Sequence, residues 1–132
     1  MRCPTAARGA LTALTLCILS SAALAGAADY AFEPVAVDVR NGDGSTLAVR
    51  LVHKPSGKPV EGAILFRTRL DMSPDNMEGM TARHDALPAS EPGIYRFKAD
   101  LTMAGSWAFR IMAKVQGESE TVHGTVVFQA KD

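Results

Sequence analysis

Apolar residues recur at every second position along most of this 132-residue chain, and that period of two restricts it to strands. Leu47, Val49 and Leu51 alternate with Ala48, Arg50 and Val52, and Tyr95, Phe97 and Leu101 with Arg96, Lys98 and Asp100. Trp107, Phe109, Ile111 and Val115 alternate with Arg110, Met112 and Lys114, and Val122, Val126 and Phe128 with His123, Thr125 and Gln129. Two further runs follow the rule: Val35, Val37 and Val39, and then Ile64, Phe66 and Leu70 opposite Arg67 and Arg69. Turn signals such as Asn41-Gly42-Asp43-Gly44, Pro55-Ser56-Gly57 and Pro92-Gly93 separate the runs. With no long helical pattern, this spacing predicts an all-β fold, an immunoglobulin-like antiparallel β-sandwich of about seven strands. A turn at Gly117-Glu118 sets one register, pairing Trp107 with Phe128 and Phe109 with Val126 inside, and Met112 with His123 outside.

The amino terminus reads as a targeting segment. Arg2 and Arg8 precede an apolar stretch from Leu11 to Ala25, and Ala23-Leu24-Ala25 offers a small-x-small cleavage pattern, with Ala25-Gly26-Ala27 as second choice. The expectation is a signal peptide over 1–25, a single domain over 26–132, and a periplasmic location; an uncleaved membrane anchor is the alternative. Cys3 and Cys17 both fall inside the segment, so the mature domain has no disulfide and no thiolate to offer. Its two arginines leave with it, which gives a slightly acidic domain and argues against a nucleic-acid partner.

Three of the six methionines lie in Met72-Ser73-Pro74-Asp75-Asn76-Met77-Glu78-Gly79-Met80, with His84 just beyond. Ser73-Pro74-Asp75 is a helix start, and one turn ended by Gly79 would put Met77 and Met80 on the same side. Met72 and Met103 continue the inward faces of their strands and reach toward the same end of the sandwich. Thioethers are soft, neutral ligands suited to Cu(I), and they need no deprotonation to bind. The candidate metal ligands are therefore Met72, Met77, Met80, His84 and Met103. The competing reading makes these methionines a plug for the core. His53 reads as a satisfied strand-end histidine, and the Met112–His123 pair as a solvated face.

No nucleophile elbow, metalloprotease, phosphate-loop or dinucleotide motif is present, so the chain is not expected to be an enzyme. Arg67 and Arg69 share outward parity with Arg50 and Arg96. Such a basic face suits a metal-free adaptor that docks onto an envelope complex through an acidic partner.

Four segments carry a family resemblance: Gly57-Lys58-Pro59-Val60-Glu61-Gly62-Ala63, Met77-Glu78-Gly79-Met80, Pro92-Gly93-Ile94-Tyr95 and Met103-Ala104-Gly105-Ser106-Trp107. Together they resemble the YtkA-like domain, often grouped with FixH-like proteins, over roughly Val35 to Phe128. The resemblance implies a small exported or anchored β-sandwich that handles metal by binding, as an accessory to copper or heavy-metal efflux or to assembly of copper-containing oxidases. The implied partner is an envelope efflux or oxidase-assembly complex and the implied cargo is Cu(I). The cleavable-looking leader departs from the FixH pattern. The lack of a histidine near the mature amino terminus departs from a CopC-like cupric site.

Overall fold

A computed structural model describes residues 26–132; the expected signal peptide over 1–25 lies outside these residues. Ten strands follow in order: β1 (Tyr30–Pro34), β2 (Asp38–Arg40), β3 (Gly42–His53), β4 (Lys58–Pro59), β5 (Ile64–Met72), β6 (Met77–Thr81), β7 (His84–Ala86), β8 (Ile94–Leu101), β9 (Gly105–Lys114) and β10 (Val122–Lys131). They form two five-stranded sheets. The first runs β1-β3-β8-β7 with β4 also on β3, and the second runs β2-β10-β9-β5-β6. Among the described strands, only β2 with β10 is parallel. The β-sandwich read from the period-two pattern is therefore the fold, with four short strands (β1, β4, β6 and β7) beyond the runs visible in the sequence.

The core is the set of alternating positions. Leu47, Val49 and Leu51 from β3, Phe97 and Leu101 from β8, Trp107, Phe109 and Ile111 from β9, and Val122, Val126 and Phe128 from β10 are all buried between the sheets. The β9–β10 register matches expectation: Trp107 faces Phe128, Phe109 faces Val126 and Met112 faces His123.

Two runs depart from it. A register shift between Leu65 and Arg67 bulges β5 against β9. One extra residue reverses the parity beyond it. Leu65 packs on the core in place of its neighbours, leaving Ile64 66 % and Phe66 49 % exposed. Val35 and Val37 are likewise exposed, because pairing is handed from β1 in one sheet to β2 in the other across this stretch.

The Pro-Gly-x-Tyr segment is a structural device. Pro92 and Gly93 occupy the centre of a turn closed by the Ile94 amide on the Glu91 carbonyl at 3.3 Å, and Gly93 has φ +73°. Pro followed by a residue of positive φ is the type II order. Tyr95 then donates its hydroxyl to the Val60 carbonyl at 2.7 Å and accepts from the Ala63 amide at 3.0 Å. One phenol thereby pins the connection from β4 to β5.

Candidate metal-binding end of the sandwich

The methionine-bearing loop is held by polar contacts at each step. Ser73–Asp75 form a single 3-10 turn with Pro74 in its first positions. The turn ends at Asn76, in the left-handed conformation at φ 59°, whose amide bonds the Ser73 carbonyl at 3.0 Å. Asn is one of the few side chains that tolerates this region, through its short polar group. Asp75 accepts the Ser106 amide at 2.9 Å, which ties the loop to the start of β9. Gly105 sits beneath it at φ +141°, and a Cβ there would lie 2.6 Å from both the Asp75 carboxylate and the Met72 methyl. That close approach accounts for glycine in Met-Ala-Gly-x-Trp. The Trp107 indole N–H then closes the β8–β9 turn on the Met103 carbonyl at 3.1 Å.

Asp71 anchors the other side. It is almost fully buried, accepting the Arg69 Nε at 2.8 Å and the Ser73 amide at 3.0 Å. Arg69 also reaches the Glu78 carbonyl at 2.9 Å, and Arg110 donates to the Ser73 hydroxyl at 2.8 Å. Burial alone would raise the Asp71 carboxyl. Hydrogen bonds from the Ser73 hydroxyl, Arg69 and the Ser73 amide, with the Arg110 charge, outweigh it and hold the pKa below the ordinary value. A depressed folded pKa gives stability that is complete above the unfolded value of about 4 and is lost as pH falls through the folded one. Urea midpoints followed against pH should therefore drop for the wild type in that acid window. Asp71→Asn should start about 2 kcal/mol less stable at neutral pH and lack this component of the drop.

Each candidate ligand has a definite place. Met72 is completely buried in the core. Met77, its Cα partner across β5 and β6, is half-buried and packs on the same core. Met80 and Met103 are 36 % and 37 % exposed. The expected single helical turn over Met77–Met80 is not formed, and Gly79 is not its stop. The turn ends at Asn76, and Met77–Thr81 is extended. Three residues along a strand span about 10 Å, so Met77 and Met80 are not stacked as neighbours on one helical side. Met103 departs from inward parity because β8 ends at Leu101 and the chain turns out.

His84 lies between the sheets. Its Nδ1 is 3.1 Å from the Ala82 carbonyl and its Nε2 2.6 Å from the Thr68 hydroxyl. A carbonyl only accepts, so Nδ1 carries the proton and Nε2 accepts from Thr68. The ring packs edge-on against Phe109 with centroids 5.3 Å apart. With both nitrogens used, His84 links β7 to β5 and presents no free lone pair to a metal. His53 bonds the Ser56 hydroxyl at 2.7 Å and stacks by Tyr30, the satisfied strand end expected. Among the described residues, no three His, Cys, Asp or Glu side chains converge in a manner suited to a metal ion.

The arginines also regroup. Arg50 and Arg96 lie on β3 and β8 of the first sheet, Arg67 and Arg69 on β5 of the second, so the four do not share a face. Arg110 of β9 joins Arg67 and Arg69 instead, directly across from Arg69. This neighbour was in the strand pattern, but naming it required knowing that β5 pairs with β9. Met112 and His123 border the same three cations, a setting that repels a metal cation.

These features define a small all-β domain with an ordered methionine-bearing end and, among the described residues, no cysteine. The chain belongs to the YtkA-like family, whose model matches residues 24–112. No curated protein matches it. Among solved structures, it is similar to the ZirS C-terminal domain at 12 % identity and TM-score 0.43, over 78 % of this chain and 66 % of that one. A conjugative transposon lipoprotein from Bacteroides eggerthii DSM 20697 is similar at 17 % identity and TM-score 0.33, over 79 % of this chain and 98 % of that one.

Proposed function

We propose that this is an exported, periplasmic binding module that holds a soft metal ion, Cu(I), as an accessory to metal efflux or cuproprotein assembly. The observation that carries this reading is the solvent exposure of Met80 on β6 and of Met103 in the β8–β9 turn, two thioethers not used by the core, in segments tied down by Asp75, Arg69 and Trp107. An ordered loop loses little freedom when it closes on an ion, which favours binding. Met77, half-buried against the core three residues before Met80, flanks the pair, and Met72 and His84 support the site from within. Thioether ligands favour a soft monovalent ion over hard cations. Export is supported by the basic, apolar and small-residue order of residues 1–25.

Titration of the mature domain with Ag(I), a redox-stable mimic of Cu(I), tests the ligand set through the methionine methyl resonances. The Met80 and Met103 methyls should shift together and saturate at one equivalent, with Met77 responding less and Met72 and Met112 little moved. Unchanged methyl shifts at saturating Ag(I), or shifts confined to Met112, would count against the assignment.

A further inference from the structure

We propose that the outer face of the second sheet is a docking groove for an acidic peptide segment of a partner protein, one that needs no metal and uses none of the thioethers, although Arg69 and Arg110 also brace the methionine-bearing loop. Arg67, Arg69 and Arg110 line a groove of about 380 Å³ together with Met112, His123 and Thr125. No Asp or Glu lines it. The groove lies on the central strands β5, β9 and β10 of that sheet and not at a frayed edge.

Charge is concentrated here beyond what folding requires. Arg69 and Arg110 are direct cross-strand partners, an arrangement that opposes pairing of the strands. One carboxylate, Asp71, serves this group, and it is engaged by Arg69 and the Ser73 amide. Arg110 spends one nitrogen on a neutral hydroxyl, and Arg67 forms no ion pair among the described residues. Two guanidiniums thus retain donors for bidentate capture of carboxylates. Met112 lines the groove with them, and Phe66 of β5 and Val127 of β10 are exposed on the same strands. The occupant that complements both features is an extended chain bearing carboxylates next to apolar side chains.

Other occupants fit less well. A second copy meeting face to face would set arginine against arginine. The chain has equal numbers of basic and acidic side chains, and the basic face spans a single groove, so a phosphate backbone finds no continuing track. A flat bilayer cannot enter a recess of this kind.

The test is fluorescence anisotropy with a short dye-labelled peptide alternating glutamate and leucine, against its glutamine counterpart. Arg67→Gln/Arg110→Gln is the variant, since Arg69 is left to hold Asp71. An unchanged circular dichroism spectrum and thermal midpoint show that the variant folds. Wild type should bind the glutamate peptide only, weakening as salt is raised, and the variant should lose about a hundredfold, tenfold for each guanidinium. The charge-reversed Arg67→Glu/Arg110→Glu domain should instead bind a lysine–leucine peptide. Equal binding by wild type and the folded Gln variant, or equal binding of both peptides by wild type, would overturn the proposal. So would arginine-dependent binding of phosphatidylglycerol vesicles or duplex DNA in preference to the peptide.

Discussion

Trp107→Ala should remove about 4 kcal/mol of folding stability, the upper range for loss of a buried aromatic. Trp107 is fully buried, faces Phe128 across β9 and β10, and belongs to the cluster that joins the two sheets. Its removal leaves a cavity at a point where both sheets converge, where neighbours can collapse little without breaking the ladder. For a domain of this size, the thermal midpoint should fall by roughly 20 °C. Trp107→Phe separates two contributions. It keeps most of the volume but orphans the Met103 carbonyl, and should cost about 2 kcal/mol. Because that hydrogen bond closes the loop carrying Met103, Trp107→Phe should also weaken Ag(I) binding while the fold persists. Urea unfolding of both variants checks the order. Near-equal stability of Trp107→Ala and wild type would refute the core assignment.

Gly124→Val should be comparably severe, at about 3 kcal/mol, for a different reason. Gly124 lies on β10 at an inward-facing position between Val122 and Val126, and the Phe32 ring of β1 rests on it. A Cβ at Gly124 would stand 2.4 Å from Phe32 Cδ2 and 3.1 Å from Cγ. The backbone there imposes no positive φ, so the cost is overpacking and not conformational strain. Displacing Phe32 uncouples β1 from the far sheet, since this ring is the buried residue of that strand. The two positions should therefore be non-additive. Phe32→Ala with Gly124→Val should be more stable than the sum of the single changes predicts, by about 1 kcal/mol or more. Additive costs in urea unfolding would show that the steric contact is not what makes glycine necessary.

These sites show what a pattern of alternation can and cannot reveal. Trp107, Phe109, Val126 and Phe128 take the register that their sequence predicts, because a short hairpin connection and two apolar pairs agree on it. The reversal at Leu65 was not legible: no glycine or proline marks the bulge, and Ile64 and Phe66 fit the inward pattern as well as Leu65 does not. The methionine segment lies at one end of the sandwich with the Pro-initiated turn its sequence predicts, but that turn is shorter than a Gly79 stop implies. Asn76 in the left-handed region ends the turn three residues before Gly79, and β6 follows. His84 was attractive as a ligand only for its closeness in sequence to the cluster. Its capture by Thr68 and Ala82 depends on β7 lying in the sheet opposite β5, a long-range fact that no local pattern carries. The same holds for Arg110, whose meaning changes once β9 is seen to lie between β5 and β10.

The central claim is that exposed thioethers, and not the buried Met72 or the engaged His84, bind a soft ion. Anaerobic competition for Cu(I) between the mature domain and a colorimetric chelator tests it most directly, with Met80→Ala/Met103→Ala and His84→Gln measured alongside. The double variant should bind about a hundredfold more weakly, tenfold for each sulfur removed, while His84→Gln, once shown to be folded, keeps wild-type affinity. Equal competition by wild type and the double variant would contradict the account, as would loss of Cu(I) binding in the folded His84→Gln domain alone.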